Sequence, residues 1–124
     1  MSFASILRSI VESCGGGIGA VLMGSDGIPI EQVVSAPVPE GPLAEDIGTA
    51  GVEFGRILEE IRKVADALAG GPVKETVVVL TDFSLVFRAV DDDTFLMVVV
   101  GPDGNLGKAR YLIRSKLHAL RREL

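Results

Sequence analysis

Residues 43–69 form the longest periodic segment of the sequence, and two different stripes run along it. Apolar side chains recur there every three or four residues, which is the spacing of one face of an α-helix. A second stripe of small side chains follows the same spacing beside the first. One helix with two such faces has to pack against two surfaces, which limits how the rest of the chain can fold. The apolar stripe, which we expect to be core, consists of Ile47, Ala50, Phe54, Ile57, Ile61, Val64 and Leu68.

The small-residue stripe includes three glycines, and each glycine inside a helix costs about 0.8–1 kcal/mol relative to alanine. Small side chains let another backbone come close, so the stripe predicts tight packing against a neighbour. That neighbour is either the chain's own sheet or the same helix of a second copy, and we favour the second copy. The stripe consists of Ala44, Gly48, Gly51, Gly55, Leu58, Arg62 and Ala65.

The composition also favours an interface. Hydrophobic residues make up 48% of the 124 residues before the 15 glycines are counted. Apolar residues and glycine together make up only roughly 45–50% of an ordinary domain. A domain of this size cannot hide so much apolar surface internally, so part of it is expected between two copies of the chain.

The segments around the long helix predict an α+β fold. Two of them have helical periodicity, and five short runs have the pattern of strands. Short connections make neighbouring strands antiparallel. This predicts a single domain, residues 1–124, with a five-stranded, mostly antiparallel sheet and helices on both faces, in the order α-β-β-α-β-β-β-α. The helices are predicted at residues 3–14, 43–69 and 106–122, the strands within 18–34 and 74–101, and the turns between strands at 25–27, 82–84 and 91–93.

Two strands have a predicted place in the sheet. Pro29 lacks the backbone N–H that a strand ladder needs, so the second strand belongs at an edge. Residues 95–100 are apolar on both sides of their alternation, which is typical of a strand covered on both faces. The last strand is therefore expected in the middle of the sheet.

The stretch VVVGPDGNLGKARY, residues 98–111, looks like a phosphate-binding loop but departs from one in three ways. Five residues rather than four separate Gly101 from Gly107. Ala109 replaces the hydroxyl that binds magnesium, and Pro102 lacks a backbone N–H group. We therefore expect a turn that leads from the last strand into the last helix, and no nucleotide cofactor.

The remaining candidates for chemistry have simpler explanations. His118 is expected on the surface of the last helix, and Asp91, Asp92 and Asp93 are expected in a tight turn rather than a calcium loop. The lone Cys14 lies on an apolar stripe, is expected to be buried, and excludes an intrachain disulfide. We expect no catalytic residue, no metal and no cofactor, and the protein is not expected to be an enzyme.

Charge is distributed unevenly along the chain. The net charge is −5, which argues against nucleic acid as a partner. Residues 101–124 nevertheless hold six basic and two acidic side chains, and they form either a solvated helix face or a docking face for an acidic partner. Arg8 and Glu12 interrupt the first apolar pattern, unlike in a signal peptide, and no apolar run is long enough to span a membrane. A cytoplasmic protein without membrane insertion is expected, and the single cysteine fits a reducing compartment.

Three features occur together in this sequence: the hairpin LMGSDGIPI, the long helix with its small residues, and DGNLGKAR at the start of the last helix. In this combination the chain resembles the roadblock (dynein light-chain) domain family, from about residue 18 to residue 117. The sharpest match is the start of the last helix, with Asn105, Leu106, Gly107 and Arg110. The resemblance implies a non-enzymatic fold that homodimerises through the long helix and the strand after it, so that two sheets join into one.

The resemblance also implies where the contacts lie. The small-residue stripe would lie at the dimer axis, and residues 76–80 would form the paired edge. The outer positions of the long helix would lie beside the axis and bind a partner. The implied dimer residues are Gly48, Gly51, Gly55, Leu58, Thr76, Val77, Val78, Val79 and Leu80, and the partner-binding residues are Glu53, Arg56, Glu59, Glu60 and Lys63.

The branch that the chain resembles contains the bacterial mutual gliding (Mgl) regulators, which act on a Ras-like small GTPase that controls cell polarity. Some of them activate GTP hydrolysis and others are adaptors. This sequence has no extension after the last helix and no basic residue that stands out as an arginine finger, so an adaptor is expected rather than a GTPase-activating protein. The alternative is a scaffold that binds other roadblock proteins or a response regulator without touching the GTPase.

The isolated chain is expected not to bind GTP or ATP, because residues 101–109 lack the spacing and the hydroxyl of a phosphate-binding loop. Isothermal titration calorimetry of the purified protein with either nucleotide and magnesium should show no heat of binding. Tight, magnesium-dependent binding would contradict this interpretation of the loop and would favour an enzyme.

Overall fold

A five-stranded sheet forms the centre of the computed structural model, which describes residues 2–124. Its strands are β1 (Gly17–Gly24), β2 (Pro29–Val34), β3 (Glu75–Val79), β4 (Ser84–Asp91) and β5 (Thr94–Val100). They follow the order β2-β1-β5-β4-β3, and every neighbouring pair is antiparallel. Both placements within the sheet are confirmed, since β2 with its proline lies at an edge and β5 lies in the middle.

Within the described residues, four helices cover the two faces of the sheet. They are α1 (Phe3–Ser13), α2 (Pro42–Glu45), α3 (Thr49–Ala67) and α4 (Leu106–Glu123). Helices α1 and α4 pack on one face, and α2 and α3 lie on the other. The α+β class and the helices on both faces confirm the sequence prediction.

The predicted helix at residues 43–69 is wrong in one respect, because the chain leaves the helical conformation at Asp46. The backbone there is extended (φ −155°, ψ 112°), which ends α2 after a single turn. The Asp46 carboxylate accepts a hydrogen bond from Gly48 N at 2.9 Å, and such local bonds compete with a helix. The periodicity did not indicate the break because Ile47 and Ala50, on either side of Gly48, are both buried.

Each face of the sheet has its own apolar core. The first core includes Ile6, Leu7, Ile10, Ile113 and Leu120, and the second includes Ile18, Met23, Leu85, Phe87 and Met97. Strand β5 contributes to both cores, and residues 96–100 are completely buried. Burying one such aliphatic or aromatic side chain contributes about 1.5–3 kcal/mol, so β5 is the strand on which both helical layers depend.

The predicted turns are present between the strands. In the β1–β2 turn, the Asp26 carboxylate accepts a hydrogen bond from Ile28 N at 3.0 Å. In the β4–β5 turn, the Asp91 carboxylate accepts from Asp93 N at 2.9 Å. Residues 80–83 join β3 to β4. An aspartate that binds a backbone N–H two residues further on is a common way to close a turn.

Two glycine-containing loops meet where α1 ends and α4 begins. Gly101 N donates a hydrogen bond to Gly16 O at 2.9 Å. Asn105 N donates to Gly15 O, also at 2.9 Å. The Asn105 side chain accepts from Lys108 N at 2.9 Å and thereby caps α4. These N–H groups are bound within the chain, so residues 101–105 form the expected turn that leads into the last helix.

The contact between these loops leaves no room for a side chain at Gly104, where a Cβ atom would overlap Val100 Cγ1 and lie 3.0 Å from Gly101 O. We expect Gly104→Ala to lower the free energy of unfolding by about 1–3 kcal/mol, the usual cost of overpacking. Gly107→Ala is the matched control, since its Cβ would meet only Asn105 Oδ1, at 3.6 Å, and alanine favours a helix by up to about 1 kcal/mol. Urea denaturation followed by circular dichroism measures both, and equal effects would contradict this packing.

Candidate interaction surface

Helix α3 packs on its own sheet mainly through its first three turns. Ala50 and Gly51 are buried there, and the ring centroid of Phe54 lies 5.4 Å from that of Phe87. Beyond Phe54 the apolar side chains of the stripe are exposed, so the prediction that the whole stripe is core is wrong. The exposed members are Ile57 (53%), Ile61 (36%), Val64 (57%) and Leu68 (76%).

These side chains are exposed because of the way α3 is rotated about its own axis relative to the sheet. Successive residues of an α-helix are about 100° apart. Gly51, Phe54 and Leu58 face the sheet. The exposed apolar side chains lie on one flank of this line, and Gly55 and Arg62 lie on the other flank. Periodicity indicated the two helical faces within α3, but it did not indicate that the sheet would lie between them.

Gly48 and Gly51 let α3 lie close to neighbouring parts of the same chain. A Cβ atom at Gly51 would lie 2.8 Å from Met23 Sδ, and one at Gly48 would lie 3.2 Å from Asp46 Oδ1. The tight packing that the glycines predicted therefore occurs within the chain, which is the alternative that the sequence left open. A Cβ atom at Gly55 would meet no described atom within 4 Å. Contact of these glycines and Leu58 with a second copy stays a prediction.

Strand β3 is an edge of the sheet and, among residues 2–124, pairs only with β4. Its side chains Val77 and Val79 are exposed, and so is Leu80 directly after it, whereas Thr76 and Val78 are half-buried. An edge strand with exposed apolar side chains is a template for pairing with another chain. We define the α3–β3 surface as the exposed apolar side chains of both elements: Ile57, Ile61, Val64, Leu68, Val77, Val79 and Leu80.

The outer side of α3 holds the five residues predicted to bind a partner, and all five are exposed. Three ion pairs join residues three positions apart: Arg56–Glu53 at 4.0 Å, Lys63–Glu60 at 3.2 Å and Arg62–Glu59 at 3.4 Å. An exposed pair of this kind contributes less than about 1 kcal/mol. A partner that brings its own charges can therefore replace these pairs at little cost.

Part of the basic charge of α4 binds the chain's own sheet. Glu75 on β3 accepts a hydrogen bond from Arg88 Nη1 at 3.1 Å and also binds Arg110 Nε of α4. The side chains of Glu75 and Arg88 are only 13% and 16% exposed. Arg121 Nε donates to Val90 O at 2.6 Å. The sequence did not indicate this network, because local patterns carry no information about residues up to 35 positions apart.

Residues 2–124 hold no group of three His, Cys, Asp or Glu side chains that could bind a metal ion. Cys14 is completely buried, as expected, and this burial raises the pKa of its thiol. A raised pKa disfavours the thiolate, which is the reactive form. His118 is exposed on α4, also as expected. None of the helices described is long and apolar enough to cross a membrane.

Solved structures share this arrangement of sheet and helices. MglC from Myxococcus xanthus is 34% identical to the chain, with 100% of both chains covered and a TM-score of 0.68. MglB from Thermus thermophilus, a gliding protein, is 18% identical over 97% of this chain and 86% of its own, with a TM-score of 0.83. A Roadblock/LC7 domain from Streptomyces avermitilis is 17% identical over 98% and 97%, with a TM-score of 0.82. The sequence matches no protein-family model and no curated protein.

The strand order, the two helical layers and the identity with MglC over the whole chain define the class of protein. The chain belongs to the Roadblock/LC7 domain family. Within that family it is a relative of the Mgl proteins, as the resemblance of its sequence predicted.

Glu75→Gln removes the charge that Arg88 and Arg110 share, and it leaves the largely buried Arg88 without a counterion. We expect the free energy of unfolding to fall by about 1.5–3 kcal/mol, the usual worth of a hydrogen bond to a charged group. Glu59→Gln is the control, because its pair with Arg62 is exposed and should contribute less than about 1 kcal/mol. Urea denaturation measures both losses. If Glu75→Gln cost no more than the control, the network would not stabilise the fold.

Proposed function

We propose that the protein is a non-enzymatic, homodimeric adaptor in a Ras-like small GTPase system of the cell-polarity or motility type. The observation that carries the proposal is the α3–β3 surface, where two elements that follow each other in the chain leave large apolar side chains exposed. Monomeric proteins rarely expose a contiguous apolar patch of more than a few hundred Å². Membership of the family, with MglC and MglB as relatives, supports a partner from a Ras-like small GTPase system.

The dimer would form by covering the α3–β3 surface with its own copy. A two-fold interface uses the same patch on both copies. It would bring Ile57, Ile61 and Val64 of one α3 against the same residues of the other. Two β3 strands related by such an axis run antiparallel, so their free edges would pair and join the two sheets. The apolar side chains now exposed to water would supply the driving force, at about 25 cal/mol for each Å² buried.

The outer face of α3 would bind the partner. Glu53, Arg56, Glu60 and Lys63 alternate in charge along it, and all are exposed. Mixed charge favours specificity and fast association more than raw affinity. In the proposed dimer the two outer faces lie on either side of the axis and form one composite surface, so one GTPase per dimer is expected. The single cysteine suits a reducing compartment, so the proposal places the protein in the cytoplasm.

A second candidate function is a scaffold that joins other roadblock proteins, or a response regulator, without touching the GTPase. A structure of MglB with a tetrameric arrangement favours it, because a protein of this fold there assembles beyond a pair. The α3–β3 surface suits another roadblock chain as well as its own copy. The gliding-type GTPase-activating role has less support, since no basic residue of the sequence stands out as an arginine finger.

The dimer is expected to give a mass of twice 13.0 kDa by light scattering at micromolar concentration. Ile61→Glu places a charge in the proposed interface and should raise the dimer dissociation constant by at least about 100-fold, since burying an unpaired charge costs several kcal/mol. Ile28→Glu is the matched control, because Ile28 is also exposed but lies in the β1–β2 turn. A mass of 13.0 kDa for the unaltered protein, or equal effects of both variants, would rule out the α3–β3 surface as the interface.

Partner binding is expected to depend on the outer cations of α3. The double variant Arg56→Glu with Lys63→Glu should lose the partner while the dimer stays intact. The measurement is a pull-down from native cells, with lysates supplied with GDP or with a non-hydrolysable GTP analogue. Arg114→Glu, which reverses an exposed cation on α4, should leave binding unchanged. Retention of every partner by the double variant would place the contact elsewhere, and loss with Arg114→Glu alone would place it on α4.

A further inference from the structure

A cleft of about 510 Å³ runs from α3, past the start of β3, to the C-terminal part of α4. Its volume is in the range of ligand sites, which are usually about 300–1,000 Å³. On α3 it is lined by Gly55, Leu58 and Arg62, and Gly55 and Arg62 lie on the flank away from the exposed apolar stripe. The cleft therefore lies on the other flank of α3 from the exposed apolar side chains of the α3–β3 surface, although Gly55 and Leu58 are also predicted to contact a second copy.

The cleft exists because β4 is longer than its neighbour at this end. The ladder between them begins where Glu75 pairs with Arg88, and Ala89 N donates to Lys74 O at 3.0 Å. Beyond that point β4 continues to Asp91 without β3 beside it. The chain before β3 contains Pro72, which cannot donate a backbone hydrogen bond. The sheet thus has a notch here, and its floor includes apolar side chains from both faces: Phe87, Phe95, Val90 and Leu117.

One polar atom at this notch has no partner. Arg88 lines the cleft, and its Nε is buried with no hydrogen-bond acceptor among residues 2–124, although its Nη1 binds Glu75. Buried N–H groups are almost always satisfied, and an exception calls for an explanation. A carboxylate is the acceptor that best fits a guanidinium, because it accepts from it in a charge-assisted bond.

The charges around the notch also suit a carboxylate. Lys74 and Arg121 line the cleft together with Arg88. Two of the acidic side chains that line it are paired with cations, Glu59 with Arg62 and Glu75 with Arg88 and Arg110. Asp91 keeps its charge, and its carboxylate accepts from Asp93 N within the β4–β5 turn. Asp92 lies in the exposed turn between β4 and β5. Lys74 and Arg121 thus remain as cations beside the unpartnered N–H group of Arg88.

From these observations we propose that the cleft is a binding site for a carboxylate attached to an apolar group. The carboxylate binds Arg88 and Arg121, and the apolar group packs on the side chains of the notch. Such a group occurs in two sources, a free aliphatic acid and the C-terminus of a polypeptide that ends in an apolar residue. The site goes beyond the adaptor function and does not depend on the identity of the GTPase partner.

The first test is an NMR titration of the ¹⁵N-labelled full chain with sodium octanoate and, separately, with 1-octanol. Octanoate is expected to shift the amide signals of Ala89, Val90 and Arg121 and to reach saturation, and octanol is expected not to. Equal binding of the two probes would show that the cleft binds apolar groups without recognising the carboxylate, and it would overturn the proposal. Absence of saturable shifts with octanoate and with the peptide acid described below would overturn it as well.

Variants then test the named residues. Arg88→Lys keeps the charge but removes Nε, and Arg121→Gln removes the second cation without touching the Glu75 network. Each should weaken octanoate binding by at least about tenfold, as loss of a charge-assisted hydrogen bond does. Arg114→Gln, on the same helix but outside the cleft, should leave the affinity unchanged. The proposal fails if a folded Arg121→Gln protein binds as well as the unaltered one, or if Arg114→Gln weakens binding equally.

Two further probes distinguish the sources of the carboxylate. Acetyl-Leu-Leu with a free carboxylate is compared with its amide in the same titration. Tighter binding of the peptide acid than of octanoate assigns the site to a polypeptide C-terminus, and weaker binding assigns it to a free aliphatic acid. Equal binding of the peptide acid and its amide would contradict a carboxylate site of either kind.

Discussion

Helix α3 is 19 residues long, but its own sheet covers only its first turns. The rest of the interaction surface depends on the part of α3 that the sheet leaves uncovered. Its sheet-facing line ends in Phe54 and the half-buried Leu58, while four large apolar side chains on the adjacent flank remain in contact with water. Such a helix is not stabilised by its own domain along its full length. A second apolar surface is the simplest way to complete it, and β3 offers one directly after the helix.

Strand β3 is held in place for such a contact by its bonds to β4 and α4. The ladder with β4 fixes one edge of the strand. Glu75 of β3 also binds Arg88 of β4 and Arg110 of α4. Its free edge is therefore ordered before another strand arrives. Ordering a flexible segment is one of the main costs of association, so a strand that is already fixed binds at lower cost. The buried network and the exposed edge are two sides of one strand.

Local patterns in the sequence predicted the two strand placements well, because a proline excludes the middle of a sheet and a run that is apolar on both sides needs cover on both faces. Pro29 marked the edge strand, and the two-sided apolar run at residues 95–100 marked the central one. The candidate surface was predicted less well. Which flank of α3 turns toward the sheet depends on where β1, β4 and β5 bring Met23, Phe87 and Phe95, and a single helical pattern contains no such information. The Glu75 network and the notch beside β4 depend on distant residues for the same reason.

The proposed dimer requires a second copy of the chain to cover the exposed flank of α3. An isotope-filtered NOE experiment on an equal mixture of methyl-¹³C-labelled and unlabelled protein tests it most directly. In the proposed dimer, NOEs are expected between the labelled methyl groups of Ile61 and Val64 and the α3 protons of the unlabelled copy. Intermolecular NOEs confined to Ile28, Ile30 and Val34, the exposed apolar side chains around β2, would contradict it, and so would a spectrum without intermolecular NOEs.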